Sequence, residues 1–399
     1  MTQTSKRKRT VLILRASPFH LGHAELVLRA LKLSEEVVLF IGSAKQPRTV
    51  KNPFTAAERA EMIRCWYREE KQKFVSDAEI AFNNWNGLGT LRIEHIRDYR
   101  YSNQRWLADV HSKLPKIDGD TYITGSDRDP STFYLKMFPT FKLDIVEENL
   151  AVSKALSATR VREIYFGQTL NGNQLTEADA DMLLKAFLPP TTLKYLRVFK
   201  TLSEYTALVE SYDHYKYEEE KSKKASQLLI EAGYKSGLYM PNHVTVDAVV
   251  IQAGHILLVQ RGHQPGKGLW ALPGGHCEQT EWMFDGAIRE LREETRIKVP
   301  EAVLRGSYKG DKMFDDPNRS LRYGRTYTRA FLFHLNVNLV DGKNVFPEVK
   351  GSDDAKIAKW FPIQEALGMS EVLFEDHGEL IETMINLYVE DNYQQGVNL

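Results

Sequence analysis

Short apolar runs separated by polar, helix-periodic stretches fill the first half of the chain. Val11 to Leu14, Val37 to Ile41, Leu91 to Ile96, Thr121 to Thr124 and Leu143 to Val146 each read as a buried strand, with helix-like sequence between them. Strands that alternate with helices predict a parallel sheet covered on its faces by those helices. Thr55-Ala56-Ala57-Glu58 has the form of a capping box and opens one of the helices. Around Pro189-Pro190 the pattern becomes helical, charged and tyrosine-rich as far as Lys235. Beyond Pro241, Val244 to Gln252 and His255 to Gln260 flank Gly254, which predicts two strands joined by a tight turn at the opening of an α+β domain. A chain of 399 residues exceeds what one hydrophobic core usually organises. The expected division is residues 1–190, a helical connector over 191–240, and residues 241–399.

The densest chemistry lies between Gly275 and Ile297. Glu281 follows Gly275 after five residues, and Arg289-Glu290-Leu291-Arg292-Glu293-Glu294 follows after seven more. Glu290, Glu293 and Glu294 stand at i, i+3 and i+4, so a helix gathers their carboxylates toward one face. Like charges packed that closely repel unless a cation sits among them. Hard oxygen donors suit Mg²⁺ or Mn²⁺, and such an ion can neutralise a diphosphate and activate a water for attack on phosphorus. A solvated face with local ion pairs would be the better reading for a single pair of glutamates. The preceding Trp270-Ala271-Leu272-Pro273-Gly274-Gly275 and the fixed distance to Arg289 add constraints that such a face does not need.

A second constellation follows the first apolar run: Arg15-Ala16-Ser17-Pro18-Phe19-His20-Leu21-Gly22-His23, then a helical pattern. His20 and His23 share a face near a helix N-terminus, where free amides and the helix dipole favour an anion. Gly22 between them lets the backbone approach closely. Later in the same half, Ser157-Ala158-Thr159-Arg160-Val161-Arg162 opens another helix. Ser157 or Thr159 can cap it, while Arg162 can offer a bidentate guanidinium to a polyphosphate. Both motifs fall at predicted strand-to-helix junctions, where ligands of open α/β sheets bind.

The Gly275 to Ile297 spacing resembles the Nudix box, with Arg296 where the box has its second glycine. The resemblance implies that Glu290, Glu293 and Glu294 are metal ligands and that Arg289 orients Glu281, with Gly274 and Gly275 as part of the motif. The general base it implies is Glu294 or Glu348. The front half resembles the nucleotidylyltransferase superfamily, and within it the nicotinamide mononucleotide (NMN) adenylyltransferases of archaeal-like type. Asn52-Pro53-Phe54-Thr55 with Glu58-Arg59, Asp98-Tyr99 with Tyr101, Asn103 and Trp106, and Gly125-Ser126-Asp127 through Pro139 carry that likeness. It implies a Rossmann-like domain in which His20 and His23 meet the ATP phosphates, Arg162 meets the leaving pyrophosphate, and Trp106 stacks on nicotinamide. Arg15, Ser157, Thr159, Asn103 and Asp127 are the further substrate-binding residues it implies. Leu14-Arg15-Ala16 stands where that family has Gly-Arg-Phe, which leaves open a front domain that binds nucleotide without catalysing.

Phe314 to Arg322 with Gly324-Arg325-Thr326 resembles the segment that follows the box in Nudix ADP-ribose pyrophosphatases fused to NMN adenylyltransferases, with Tyr323 inserted. Arg319, Arg322 and Arg325 are the substrate-gripping candidates there, and arginines on a surface hairpin are the plain alternative. The likeness to the fused family runs over nearly the entire chain, including Asp247 to Val250, Pro265 to Gly268 and Gly351 to Ala355. It implies a bifunctional enzyme of NAD metabolism, with ATP, NMN, NAD and ADP-ribose as partners and Mg²⁺ or Mn²⁺ as cofactor. Nicotinic acid mononucleotide, NADH and NAD-capped RNA are the other substrates such a pair of domains could take.

Charge and cysteine content narrow the remaining classes. Lysine plus arginine and aspartate plus glutamate number 53 each, so no global field advertises nucleic acid or an anionic membrane. Cys65 and Cys277 are too few for a disulfide framework, which predicts a reducing, cytoplasmic setting. No apolar run reaches spanning length, and the start lacks a signal-peptide core. Nothing in the pattern argues against a homo-oligomer.

Overall fold

The structure, a computed structural model, describes residues 6–76, 87–114, 119–125, 134–146, 156–170, 173–235, 237, 241–319, 323–340 and 342–394. Asp127 and Arg322 lie outside the described residues. The chain forms two compact units, residues 1–45 with 50–209 and residues 46–49 with 210–399.

In the first unit, β1 (Arg7–Leu14), β2 (Ser34–Ile41), β3 (Thr90–His95), β4 (Thr121–Gly125) and β5 (Lys142–Ile145) form one sheet in the order β3-β2-β1-β4-β5. Every pairing in it is parallel, and the strands are the five apolar runs read from the sequence. Helix α1 (Leu21–Leu33) connects β1 to β2, and α2 (Ala56–Ser76) and α3 (Asn103–Ser112) follow β2 and β3. Thr55 and Glu58 close the capping box of α2: the Thr55 amide donates to Glu58 Oε2 at 2.7 Å and the Glu58 amide to Thr55 Oγ1 at 3.3 Å. Val11 and Ile13 of β1 and Val38 and Phe40 of β2 point to one face, where Val110, Phe138 and Phe141 bury them. That face follows directly from the period of two along a strand. Helix α4 (Ala158–Gly167), a short hairpin β6 (Thr169–Leu170) and β7 (Asn173–Gln174), α5 (Glu177–Phe187) and α6 (Pro190–Phe199) follow, and the long α7 (Ser203–Glu231) begins in this unit and continues as part of the second.

In the second unit, β8 (Asn242–Gln252) and β9 (His255–Arg261) form the hairpin expected at Gly254. Ala253 and Gly254 both take positive φ, 44° and 71°, as the two centre residues of a type I′ turn must. Short strands β10 (Trp270–Ala271) and β11 (Gly274–His276) precede α8 (Met283–Thr295) and α9 (Glu301–Gly306). Then come β12 (Tyr308–Phe314), β13 (Arg325–His334), the small hairpin β14 (Leu339–Val340) and β15 (Lys343–Asn344), and β16 (Ala355–Pro362). Helices α10 (Ile363–Gly368) and α11 (His377–Gln394) end the chain's described part. The mixed sheet runs β10-β9-β8-β13-β12, with β11 on β8 and β16 on β9. Its β8–β13 pair is parallel. Val246, Ala248 and Val250 of β8 pack with Ala287, Ile288 and Leu291 of α8 in one core, which fixes the acidic face of α8 against the β10–β11 loop.

Candidate functional sites

At the C-terminal end of β1 the chain turns through Arg15, Ala16 and Ser17 before α1 begins. Ala16 is buried and adopts a left-handed backbone with φ 49°. Such a residue costs about 1 kcal/mol without glycine's freedom, so its surroundings must hold it. Two arginines do so. Arg162 Nη1, from α4, donates to the Ser17 carbonyl at 2.7 Å, and Arg59 Nη1, from α2, donates to the Arg15 carbonyl at 2.6 Å. Burial depresses the Arg162 pKa to about 10, and the charge of the exposed Arg15 side chain adds to that.

His20 caps α1, and its ring stacks on that of His23 with centroids 3.6 Å apart. A Cβ at position 22 would stand 3.2 Å from His20 Cε1 and 3.1 Å from Leu156 Cδ2, so a side chain there would press on the stacked rings. Ser157, not Thr159, caps α4 by accepting from the Arg160 amide at 3.2 Å. Thr159 Oγ1 instead accepts from Arg162 Nη2 at 3.1 Å. The structure thus gathers Arg15, His20, His23, Ser157, Thr159 and Arg162 at strand-to-helix junctions of one sheet. Trp106 lies on α3, 6.4 Å from the Tyr134 ring, and the Tyr134 hydroxyl reaches the Ile13 carbonyl of β1 at 3.4 Å. Asn103 begins the same helix, with its side chain exposed.

In the second unit the acidic face of α8 lies under Gly274 and Gly275. The Gly274 amide donates to Glu294 Oε2 at 3.0 Å. A Cβ on Gly275 would stand 2.6 Å from Glu290 Oε1, so any other residue there would push that carboxylate aside. Arg289 grips Glu281 through both oxygens at 3.1 and 2.7 Å, and its Nη1 also reaches Glu290 at 2.9 Å and Glu293 at 2.8 Å. Glu294 is buried, and desolvation, with the neighbouring charges of Glu290 and Asp247, pushes its carboxyl up to about 8. The Glu290 carboxyl is raised too, chiefly by burial, with Glu293 and Asp353 adding repulsion.

Glu290 and Glu294 lie together under the glycines, while the Glu293 carboxylate meets Arg289. Among the described residues no three histidine, cysteine, aspartate or glutamate side chains stand as a metal-holding group. Arg289 precedes Glu293 by one helical turn and draws its carboxylate toward itself, leaving Glu293 half exposed. Glu290 and Glu294 nevertheless fit a divalent cation: two desolvated, mutually repelling oxygen donors beside backbone that lacks side chains. Glu293 could join them only by leaving Arg289. Glu348 is exposed in an irregular segment, its carbonyl accepting from the Lys298 amide beyond the end of α8. Arg296 ends the helix in the left-handed conformation, φ 46°, with its Nε on Ser352 Oγ at 2.8 Å. An arginine thus makes the exit that a glycine would make without strain.

Of the three substrate-gripping candidates after β12, Arg319 and Arg325 are among the described residues. Arg319 is buried, and its Nε and Nη2 bind Asp376 at 3.0 to 3.2 Å. Burial opposes its charge, but Asp376 outweighs that and holds its pKa above the ordinary value. Arg325 opens β13, donates to the Asp315 carbonyl at 3.0 Å and stacks on Tyr327.

Asp247 was not singled out as a site residue by sequence, although a carboxylate in the apolar run of β8 is a visible signal. It accepts from Thr328 Oγ1 at 2.5 Å and stands 4.0 Å from His377 Nε2. Burial lowers the His377 pKa, and its Nδ1 accepts from the Leu272 amide at 2.9 Å, which secures the loop that leads to Gly274.

Comparison with known proteins agrees with this geometry. Residues 241–384 match the NUDIX domain model and residues 15–164 the Cytidylyltransferase-like model. A crystal structure of a bifunctional NMN adenylyltransferase/ADP ribose pyrophosphatase from Francisella tularensis is 30% identical, covering 95% of this chain and 99% of that one, with a TM-score of 0.72. The chain belongs to this bifunctional family. The same Francisella protein is also known complexed with AMP and a Mn ion. Within the two halves, a nicotinamide/nicotinic acid mononucleotide adenylyltransferase of Acinetobacter baylyi is 29% identical over 51% of this chain and 92% of its own. An ADP-ribose pyrophosphatase of Methanocaldococcus jannaschii is 31% identical over 37% of this chain and 76% of its own.

Proposed function

We propose that the chain makes NAD at one site and degrades ADP-ribose at the other. Residues 1–190 would join NMN to the AMP part of ATP and release pyrophosphate, residues 241–399 would hydrolyse ADP-ribose to AMP and ribose 5-phosphate, and residues 191–240 connect them. The observation that carries this reading is that both phosphate-handling constellations occur in one chain that aligns nearly end to end with the Francisella bifunctional protein.

In the transfer reaction the NMN phosphate attacks the α-phosphorus of ATP directly. No residue need act as a nucleophile, so catalysis rests on holding two anions in line and offsetting their charge. The guanidiniums of Arg15 and Arg162 supply that positive charge, and the stacked imidazoles of His20 and His23 at the α1 N-terminus would offer N–H groups to the phosphates. Trp106 offers an aromatic face to nicotinamide. Among the described residues Leu14, where the family has glycine, ends β1 beside Gly42, whose amide binds the Leu14 carbonyl at 3.0 Å.

In the hydrolase, Mg²⁺ or Mn²⁺ held by Glu290 and Glu294 would neutralise the diphosphate and favour attack by water. Arg289 fixes Glu281 and Glu290 so that the acidic face keeps its shape before substrate arrives. Glu294 and Glu348 remain the two candidates for proton removal, and the buried position of Glu294 favours it. Among the described residues no helix is long and apolar enough to cross a membrane, and with the two free cysteines this supports a cytoplasmic enzyme.

The deciding experiment supplies the full chain separately with ATP, NMN and Mg²⁺, and with ADP-ribose and Mg²⁺ or Mn²⁺, and identifies products by mass. NAD from the first and AMP with ribose 5-phosphate from the second support the proposal. Hydrolysis without NAD formation would instead support a front domain that binds nucleotide without catalysing.

A further inference from the structure

Arg59 lies completely buried in the first unit, yet none of the hydrogen bonds found for its guanidinium goes to a carboxylate. Its Nη1 donates to the carbonyls of Arg15 and Gly42 at 2.6 and 2.7 Å, its Nη2 to that of Ser43 at 2.9 Å, and its Nε to that of Thr55 at 3.3 Å. These carbonyls belong to the end of β1, the end of β2 and the start of α2. One side chain thereby ties together the three backbone segments that border the phosphate-binding turn. Asp98 completes the arrangement by accepting from both the amide and the hydroxyl of Ser43, at 2.9 and 3.0 Å.

Burying a cation in this way costs several kcal/mol, which a purely apolar residue would not incur. Desolvation and the nearby Arg15 lower the Arg59 pKa to about 10, with Asp98 opposing, so it stays charged at neutral pH. The cost has a local return. The turn it holds contains Ala16 in a left-handed conformation, and Arg162 holds the same turn from the other side through Ser17. A planar fork with five N–H groups can serve carbonyls lying in several directions, whereas an ammonium cannot reproduce that spread.

We propose that Arg59 is a positioning residue for adenylyl transfer, setting the turn from which Arg15 and His20 reach the ATP phosphates. This rests on the functional reading of the front domain given above. Misplacing such groups by about 1 Å costs about 10²-fold in rate. Among the described residues, none of Arg59's hydrogen bonds goes to α3, where Trp106 would meet the nicotinamide.

The test uses the full chain carrying Arg59→Lys, and in parallel Arg59→Ala assayed with and without added guanidinium. NAD formation is measured together with the unfolding transition of the front unit, and ADP-ribose hydrolysis confirms enzyme concentration. A folded Arg59→Lys variant should lose about 10²-fold in kcat with its KM for NMN nearly unchanged. Guanidinium, but not ammonium, should restore part of the rate of Arg59→Ala. A folded lysine variant with wild-type kcat, a parallel rise in KM for NMN, or variants whose front unit does not fold would each overturn the inference, the last by showing a role in folding alone. A wild-type chain that makes no NAD refutes the reading of the domain itself, and this inference falls with it.

Discussion

Replacing Asp376 by alanine should destabilise the second unit by about 3–5 kcal/mol, the range for breaking a buried pair by removing one partner. The structure sets that range: the Arg319 and Asp376 side chains are 2% and 0% exposed and share three contacts of 3.0 to 3.2 Å. Alanine leaves the guanidinium charged in a place water does not reach. An exposed pair of the same geometry would contribute about 0–1 kcal/mol. At about 2–4 °C per kcal/mol for a unit of this size, the midpoint should fall by roughly 6–20 °C. Urea unfolding followed by a probe in the second unit measures the free energy, and calorimetry the midpoint. The companion variant Arg319→Met with Asp376→Leu removes both charges and should recover most of the loss. A single-variant cost below about 1 kcal/mol would refute the buried-pair account. So would a folded double variant that no longer binds ADP-ribose, because it would return Arg319 to the substrate.

Other perturbations separate the two sites. His23→Ala should lower NAD formation by about 10²–10³-fold and leave ADP-ribose hydrolysis intact, as product assays on one preparation will show. Glu290→Gln should do the reverse, and it should also weaken Mn²⁺ binding measured by titration calorimetry. Arg289→Met should abolish most hydrolysis by freeing Glu281, Glu290 and Glu293 together, with NAD formation as the internal control. The raised Glu294 carboxyl makes stability pH-dependent: without a divalent cation, its contribution is complete below the ordinary glutamate value of 4.5 and is lost as pH rises toward about 8. Added Mg²⁺ or Mn²⁺ should therefore raise the second unit's melting temperature more at pH 8 than at pH 5, and Glu294→Gln should flatten that difference.

The five parallel strands, the β8–β9 hairpin, the α2 capping box and the spacing of the acidic helix were legible in the chain because each rests on local physics. Apolar runs of strand length, a glycine at a left-handed turn and carboxylates at helical spacing need no knowledge of distant residues. The pairing of side chains far apart in sequence was decided only by tertiary structure. Arg319 and Asp376 are 57 residues apart, and Thr328 and Asp247 are 81 apart. Arg59 meets the carbonyls of Arg15 and Gly42 because parallel β1 and β2 end side by side. Sequence also could not show that Glu293 meets Arg289, because its spacing suits both that arginine and a cation. An arginine or a carboxylate looks alike in sequence whether it faces water, a ligand or a buried counter-charge, and only the fold sets which of these its desolvation must be balanced against.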